Sequence, residues 1–359
     1  MRVLSLFSGI GAFEKALENL DIDFELDHYC EIDEQASCSY QAIHNVDEDM
    51  NLKDVTSIDY SKLGNIDLIT YGFPCQDISL AGKQQGLFDK DGNITRSGLF
   101  FNALEVIEKT KPKFAIFENV KNLTSKKFAK EFEIILNSLD EAGYNTYYKV
   151  LNAKDYGTPQ NRERVFGISI RKDIDTGFEF PSPVQLETRF EDYCSPCNED
   201  TSMDDKWLER ISKWKSHQNP LDKVMGTNSI CATITTRIAI SDGGGINAST
   251  KLYSTKISED MNLRENFKNM DIHYLNTLTC WQLMGFDKKD YELAKASLHE
   301  KFNPTSNQLR GFLYKQAGNS IVVSVIEVIF ESLAVQYPSD FVQRWGEDLW
   351  ENMKEFYQP

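Results

Sequence analysis

Val3-Leu4-Ser5-Leu6-Phe7-Ser8-Gly9-Ile10-Gly11 is the stretch that decides the fold class. Val3–Phe7 is a short apolar run, Ser8–Gly11 is a turn, and a helical pattern follows through Leu20. A strand that hands over to a helix through a glycine turn is the building unit of parallel α/β proteins. The unit recurs along the chain. Phe24–Glu31 reads as a second strand and Glu34–His44 as its helix, and Ile66–Tyr71 reads as a third strand. After a long polar stretch with several glycines comes a helix from about Gly98 to Lys109, then a buried strand, Phe114–Phe117, ending at Glu118-Asn119. Lys126–Ala142 is a helix closed by Gly143, a residue suited to the left-handed conformation past a helix end. Tyr144–Asn152 and Val165–Ile170 complete the series as strands. The expected class is therefore α/β, with a mixed, mostly parallel sheet and helices on both faces. Ligands of such sheets gather at the carboxyl ends of the strands, where Gly9, Gly11, Glu31, Cys75 and Glu118 fall.

The rhythm stops at Phe180-Pro181-Ser182-Pro183. The spacing predicts a first domain over 1–180, a smaller irregular domain over 181–272, a return to the first over 273–335, and a helical tail over 336–359. Ile321–Leu333 is strongly apolar and suited to docking back on the first domain. With Lys+Arg at 39 and Asp+Glu at 55, the net charge is −16, which argues against coating nucleic acid or membrane by bulk charge but leaves room for a locally basic cleft. No apolar run is read as approaching the roughly 20 residues of a membrane span, and the N-terminus enters a strand without a leader-like region. The 7 cysteines are odd in number and scattered, as in a reduced intracellular chain. Cys194–Cys197 forms the one CxxC, without a second pair or suitably spaced histidines, so no metal is expected. The expected location is the cytoplasm, and no membrane partner is expected.

Gly72-Phe73-Pro74-Cys75-Gln76 follows the strand Ile66–Tyr71 directly. Pro74 fixes its own backbone angle and extends Phe73, so the Cys75 thiol is presented from a stiff turn at a strand's carboxyl end. A reactive cysteine has to ionise in a partly exposed, electropositive setting, whereas a single cysteine is otherwise a small buried hydrophobe. What separates the two is a set of segments in order: Phe7-Ser8-Gly9-Ile10-Gly11, Gly72-Phe73-Pro74-Cys75-Gln76, Glu118-Asn119-Val120, Gln160-Asn161-Arg162-Glu163-Arg164 and Gln316-Ala317-Gly318-Asn319-Ser320. In this arrangement the chain closely resembles the DNA cytosine-5 methyltransferase family over about residues 1–170 and 273–335.

The resemblance implies a Rossmann-like S-adenosylmethionine domain, a smaller target-recognition domain at 181–272, and double-stranded DNA as partner. It implies Cys75 as the nucleophile that adds to carbon 6 of cytosine, and Glu118 as the acid at ring nitrogen 3. Arg164 is implied at the base's carbonyl oxygen, with Arg162 in a supporting role. Outside that context an Arg-Glu-Arg run reads as a solvated strand. For the cofactor, Phe7, Gly9, Ile10 and Gly11 are implied around the methionine end, Glu31 at the ribose hydroxyls and Ile32 on the adenine. Asp54 and Val55 are implied at the adenine edge, Pro74 and Leu99 in the pocket wall, and Asn319 and Ser320 in its closure. Gln76–Gly98 resembles the family's mobile catalytic loop, with Gln76, Ser79, Lys83 and Arg96 as implied DNA contacts; a solvated loop is the alternative. Such a loop closes as the target base leaves the stack, since carbon 6 is buried in a duplex.

Some positions depart from the family. Ala12 stands where another glycine is common. In Leu278–Phe286, Thr279 replaces a usual glutamate, while His273 and Asn276 replace an arginine and a threonine. Thr235 and Arg237, before Gly243-Gly244-Gly245, resemble the segment laid in the major groove; Arg237 either pairs a guanine's acceptor edge or sits on a surface turn. Lys206, Arg210, Lys213 and Lys215, with Trp207 and Trp214, serve either phosphate contact or a solvated helix. The tail carries Phe341, Trp345, Leu349, Trp350, Met353 and Phe356 at near-helical spacing, for packing on its own domain or for a partner. A nicotinamide enzyme is disfavoured because Glu14 occupies the place of the third glycine. A tRNA-directed relative is disfavoured by the lack of a Cys-Phe-Thr tripeptide, and a non-catalytic DNA binder by the presence of Cys75, Glu118 and Arg164. The expectation is a monomeric, sequence-specific DNA cytosine-5 methyltransferase of a bacterial or phage modification system. A cognate restriction endonuclease would act beside it without stable contact.

Overall fold

The computed structural model describes residues 1–75, 77–78, 86–89, 91, 93–194, 205–213, 224–236, 252–254, 267 and 271–342. They form two compact units: Met1–Asn152 with Glu163–Pro183 and Val325–Pro359, and Ala153–Arg162 with Val184–Ser324.

The first unit runs β1 (Arg2–Leu6), α1 (Ala12–Asn19), β2 (Glu25–Cys30), α2 (Glu34–His44), β3 (Leu68–Tyr71), α3 (Phe100–Thr110), β4 (Phe114–Val120), α4 (Ala129–Glu141) and β5 (Tyr144–Asn152). The short β6 (Gln160–Asn161) belongs to the second unit, and β7 (Glu163–Arg171) returns to the first. Together β2-β1-β3-β4-β7-β5 make one six-stranded sheet. The pairs β1–β2, β1–β3 and β3–β4 are parallel, while β7 lies antiparallel to both β4 and β5. That reversal follows from the connectivity: the chain leaves the sheet after Asn152 and comes straight back, which forces β7 to run against β5. The strand order reverses about β1 and β3, the position at which open α/β sheets bind their ligands. The sheet is the mixed, mostly parallel one expected of a Rossmann-like S-adenosylmethionine-dependent methyltransferase fold.

Glu118 falls inside β4 and not after it, because β4 continues to Val120 along its pairing with β7. Phe117 faces Gly167 across that pair, and a Cβ at Gly167 would lie 2.0 Å from the Phe117 ring. Only glycine leaves room for the ring. Tyr71, Phe73, Phe100 and Phe117 form a buried aromatic floor below the ends of β3 and β4, with Phe73 5.7 Å from Phe100 and 6.2 Å from Phe117 between ring centroids. Truncating any such ring to alanine typically costs about 3–5 kcal/mol, so this floor is rigid on the scale of the whole stability.

Residues 273–324 group with the second unit, as does 153–162, where the sequence reading assigned both to the first domain. The reason is a local core the periodicity does not reveal. Trp281 packs edge-on against Phe286 and Tyr291, and its indole N–H donates to the Leu313 carbonyl at 3.0 Å. The departures from the family pattern have plain structural roles there. Asn276 caps the helix Thr277–Gln282 by accepting from the Thr279 N–H at 2.7 Å, work a threonine performs equally well. The His273 ring stacks on Tyr253 at 5.4 Å.

Ser306–Gln336 is long and apolar enough to cross a membrane by length and composition, which corrects the expectation that no run approaches that size. It consists of two helices, Ser306–Asn319 and Val323–Gln336, and more than half of its most apolar part is buried within the protein. At the start of the tail, Tyr337 and Phe341 pack edge-on against Phe114 at 5.2 and 5.1 Å, so this part packs on its own unit. Trp345, Leu349, Trp350, Met353 and Phe356 lie outside the described residues.

Candidate functional site

Two neighbouring parallel strands, β3 and β4, deliver the reactive candidates side by side. Tyr71 of β3 pairs with Phe117 of β4, so the Gly72–Cys75 turn and Glu118 both emerge at the carboxyl end of the sheet. Cys75 is half-buried and outside any disulfide. The turn is tied down on both sides by the segment after β4. Asn119 Nδ2 donates to the Phe73 carbonyl at 3.0 Å, and Asn122 Nδ2 donates to the Ile78 carbonyl. Asn119 Oδ1 in turn accepts from the Val120 N–H at 2.8 Å, which orients its amide. The Ile78 N–H donates to the Cys75 carbonyl at 3.0 Å and closes the turn. Asn119 therefore positions the cysteine turn and not only its own neighbour Glu118, and Asn122 joins it, a role with no signal in the sequence.

Glu118 Oε1 lies 2.8 Å from Arg164 Nε, with side chains 12% and 19% exposed respectively. The contact arises from register: β7 sets Arg164 opposite Val120 and Phe166 opposite Glu118. A charge-assisted bond of this kind fixes the carboxyl and the guanidinium relative to each other. A second Arg164 bond, from Nη1 to the Glu163 carbonyl at 2.8 Å, fixes the fork further.

Arg162, expected in a supporting role near Arg164, is held by backbone carbonyls. It belongs to the second unit, is buried, and donates to the carbonyls of Ile234 at 2.7 Å, Gly318 at 3.1 Å and Ser320 at 2.6 Å. It is a clamp on the Gly318–Ser320 turn. Gly318 is obligatory at that turn because a Cβ would lie 2.3 Å from the Thr236 nitrogen. Asn319 and Thr235 are exposed there and Ser320 is buried.

Arg96, expected to contact DNA, forms a fork with buried Asp77, Nη2 to Oδ1 at 3.2 Å and Nε to Oδ2 at 3.4 Å. The Gly86 N–H donates to the Asp77 carbonyl, and the Ser97 hydroxyl accepts from the Asp77 N–H. Asp77 thus ties together both ends of the long connection that starts at Cys75. Gln76, Ser79, Lys83 and Arg237 lie outside the described residues, as do Trp214, Lys215, Cys197 and Gly243–Gly245.

The cofactor candidates converge around the ends of β1 and β2. Glu31 takes the Gly9 N–H on Oε2 at 2.8 Å and the Asp33 N–H on Oε1 at 2.7 Å. Each carboxylate oxygen can accept more than one bond, the acceptor chemistry a vicinal diol requires. Asn51, which the sequence reading missed, braces this carboxylate's backbone. Its Oδ1 accepts from the Glu31 N–H at 3.1 Å and the Lys53 N–H at 2.8 Å, and its Nδ2 donates to the Glu31 carbonyl at 3.0 Å.

Phe7 and Lys53 both adopt left-handed backbone, φ 54° and 62°. That conformation costs a non-glycine residue about 1–2 kcal/mol, and such strain collects at ligand sites. Next to Glu31, Ile32 is 72% exposed, an apolar side chain offered to a flat ring. Asp54 caps a turn through the Thr56 N–H at 2.9 Å, and Val55 is buried beneath it. Phe7 and Leu99 pack on the core cluster as parts of a wall, and Pro74 is half-buried beside Cys75. The donor set fits a nucleoside-bearing cofactor: a carboxylate held by amides, an exposed aliphatic plate and a strained glycine turn.

Burial pushes the Cys30 thiol up to about 12, helped by the Glu31 and Asp54 charges, and the Cys194 thiol likewise up to about 12, helped by Glu191. Neither forms a thiolate near neutrality, so neither competes with Cys75 as nucleophile. Among the described residues no cluster of three metal-ligating side chains occurs.

One measurement isolates the ribose assignment. Glu31→Ala weakens cofactor binding by about 1–3 kcal/mol, the cost of losing hydrogen bonds to a charged acceptor. Calorimetric titration with S-adenosylmethionine reads this directly, and an unchanged affinity removes Glu31 from the site.

The sequence profile of the C-5 cytosine-specific DNA methylases matches residues 1–334. The orphan methyltransferase M.SPRI of Bacillus phage SPR is 45% identical over 174 residues, which span 48% of this chain and 38% of that protein. The type II methyltransferase M.HhaI of Haemophilus parahaemolyticus is 31% identical over 340 residues, 92% of this chain and 93% of that one. Among solved structures, the Dnmt2 methyltransferase of S. pombe superposes with a TM-score of 0.69 at 21% identity, covering 95% of this chain and 100% of that one.

Proposed function

Because the chain belongs to the C-5 cytosine-specific DNA methylase family, we propose that it methylates carbon 5 of a cytosine within one short sequence of double-stranded DNA. The observation that carries this reading is the Glu118–Arg164 pair at 2.8 Å, one strand away from a Cys75 turn that Asn119 holds in place. S-adenosylmethionine, when bound, supplies an electrophilic methyl group on a sulfonium.

Carbon 5 of cytosine is too weak a nucleophile to take that methyl unaided. The Cys75 thiolate adds to carbon 6, forming a carbon–sulfur bond and moving the ring electrons toward carbon 5 and nitrogen 3. Glu118 supports nitrogen 3 with a proton as negative charge builds there, and Arg164 holds the ring's carbonyl oxygen while keeping Glu118 in place. Carbon 5 takes the methyl as the methyl–sulfur bond breaks, the bound cofactor leaving as a neutral thioether. A base then removes the remaining carbon 5 proton, the electrons of that bond expel the Cys75 thiolate, and nitrogen 3 returns its proton to Glu118. Aromaticity returns and the enzyme is regenerated.

Carbon 6 is reachable only after the base leaves the duplex. Asp77 and Arg96 fasten the two ends of the connection that follows Cys75. The protein acts as a monomer in the cytoplasm and protects DNA within a restriction-modification system. Its cognate endonuclease shares the target sequence without binding it stably. Net charge −16 leaves little non-specific attraction to DNA, so affinity rests on a few phosphate contacts and falls with salt in proportion to their number.

Genome-wide bisulfite sequencing of a methylation-free bacterial host expressing the chain tests the reading. Protected cytosines confined to one short motif are the expected result. A soluble protein with no protected cytosine overturns DNA as substrate and directs the search to tRNA.

A further inference from the structure

We propose that His44, as the imidazolium, is the positioning residue that holds the Phe7–Gly11 loop in its cofactor-binding conformation, so that S-adenosylmethionine affinity falls when His44 loses a proton. The inference rests on the reading of that loop as the cofactor loop.

His44 lies in the last turn of α2 with its side chain 3% exposed. Nδ1 is 2.8 Å from Glu18 Oε1 on α1, and Nε2 is 3.2 Å from the Ile10 carbonyl inside the loop. Both neighbours are acceptors. A neutral imidazole carries one N–H and satisfies one of them; only the imidazolium donates to both. Loop and ring are fitted to each other, since a Cβ at Gly11 would lie 2.0 Å from Nε2. On the other side the ring packs against Tyr40 at 4.6 Å, and Tyr40 stacks on Tyr29 of β2 at 4.1 Å.

The groups around the ring determine its charge. Glu14 and Glu18 face it from α1, and Tyr40 lies beside it on α2. Burial alone pushes the His44 imidazolium down. The Glu18 bond and charge, the Glu14 charge and the Ile10 carbonyl outweigh it, and the net direction is up from 6.5. Glu14 is itself pushed up by burial and pulled back by the His44 charge. A histidine with a raised folded value contributes stability that is complete below its unfolded value of about 6.5 and is lost as pH rises through the folded value. On deprotonation the remaining proton stays at Nδ1 against the Glu18 carboxylate. The Ile10 carbonyl then loses its donor and the loop loses its brace.

The experiment is calorimetric titration of the full chain with S-adenosylmethionine between pH 7 and pH 9.5, for the wild type, His44→Gln and His44→Phe. The wild type is expected to lose about tenfold in affinity across that range, the size of one hydrogen-bond contribution. His44→Gln retains a neutral donor toward Ile10 and shows a flat profile, and His44→Phe binds weakly at every pH. A purely structural role for His44 would lower the melting temperature without giving the wild type a slope that His44→Gln lacks. A flat wild-type profile, or the same slope in His44→Gln, overturns the inference and leaves the cofactor loop standing. No binding by the folded wild type at pH 7 overturns the cofactor-loop reading and the inference with it.

Discussion

Cys75→Ser yields a folded protein that binds S-adenosylmethionine with little change yet transfers methyl groups slower by on the order of 10⁴-fold or more, the scale on which loss of a covalent nucleophile acts. The serine hydroxyl is nearly isosteric, so the turn that Asn119 and Ile78 fasten keeps its shape. What disappears is the anion: a thiol ionises near neutrality in a suitable setting and an aliphatic hydroxyl does not. Transfer of radiolabelled methyl to cognate DNA, with calorimetric cofactor binding in parallel, checks both halves. Methylation surviving in Cys75→Ser would remove Cys75 as the nucleophile.

Glu118→Gln and Arg164→Ala produce the second large effect, and their combination separates two roles. Glu118→Gln is expected to slow turnover by about 10²–10⁴-fold, the usual worth of a positioned acid. Arg164→Ala loses the contact to the base and leaves a mostly buried carboxylate without its 2.8 Å partner. Removal of such a partner also costs about 1–3 kcal/mol of stability. The two losses do not add, since each mutation disturbs the other's group. A double mutant about as slow as the worse single mutant identifies one functional unit. Strictly additive losses would show two independent residues that merely touch.

The reach of the sequence differed from element to element. Strands β1, β3 and β4 were legible because each carries a short apolar run between turn residues, and α2 was legible between its caps Asp33 and Asn45. Cys75, Glu118 and Arg164 were singled out by residue type in an ordered series. Arg162 and Arg96 could not be told apart from ligand-binding arginines in that way. A guanidinium that grips carbonyls and one that reads a phosphate have the same letter, and only the tertiary structure shows the partners of these two, Ile234, Gly318 and Ser320 for Arg162 and Asp77 for Arg96. Asn51, Asn122 and His44 were missed for a related reason: each bonds a backbone atom distant in sequence, and such a bond imposes no period on the chain.

The sequence by itself determined the α/β class and the strand ends at which ligands of such sheets gather, because hydrophobic period and turn residues act over a few neighbours. Cys75, Glu118 and Arg164 stood out through the resemblance of ordered motifs and not through local rules. The tertiary structure alone decided that β7 enters antiparallel between β4 and β5, and with it that Arg164 meets Glu118. It also decided that 273–324 builds a core around Trp281 in the second unit. Strand register and core membership are outcomes of packing between segments far apart in the chain. The physical quantity that selects them is the area and the hydrogen bonds jointly buried by both segments, and neither segment carries that quantity alone.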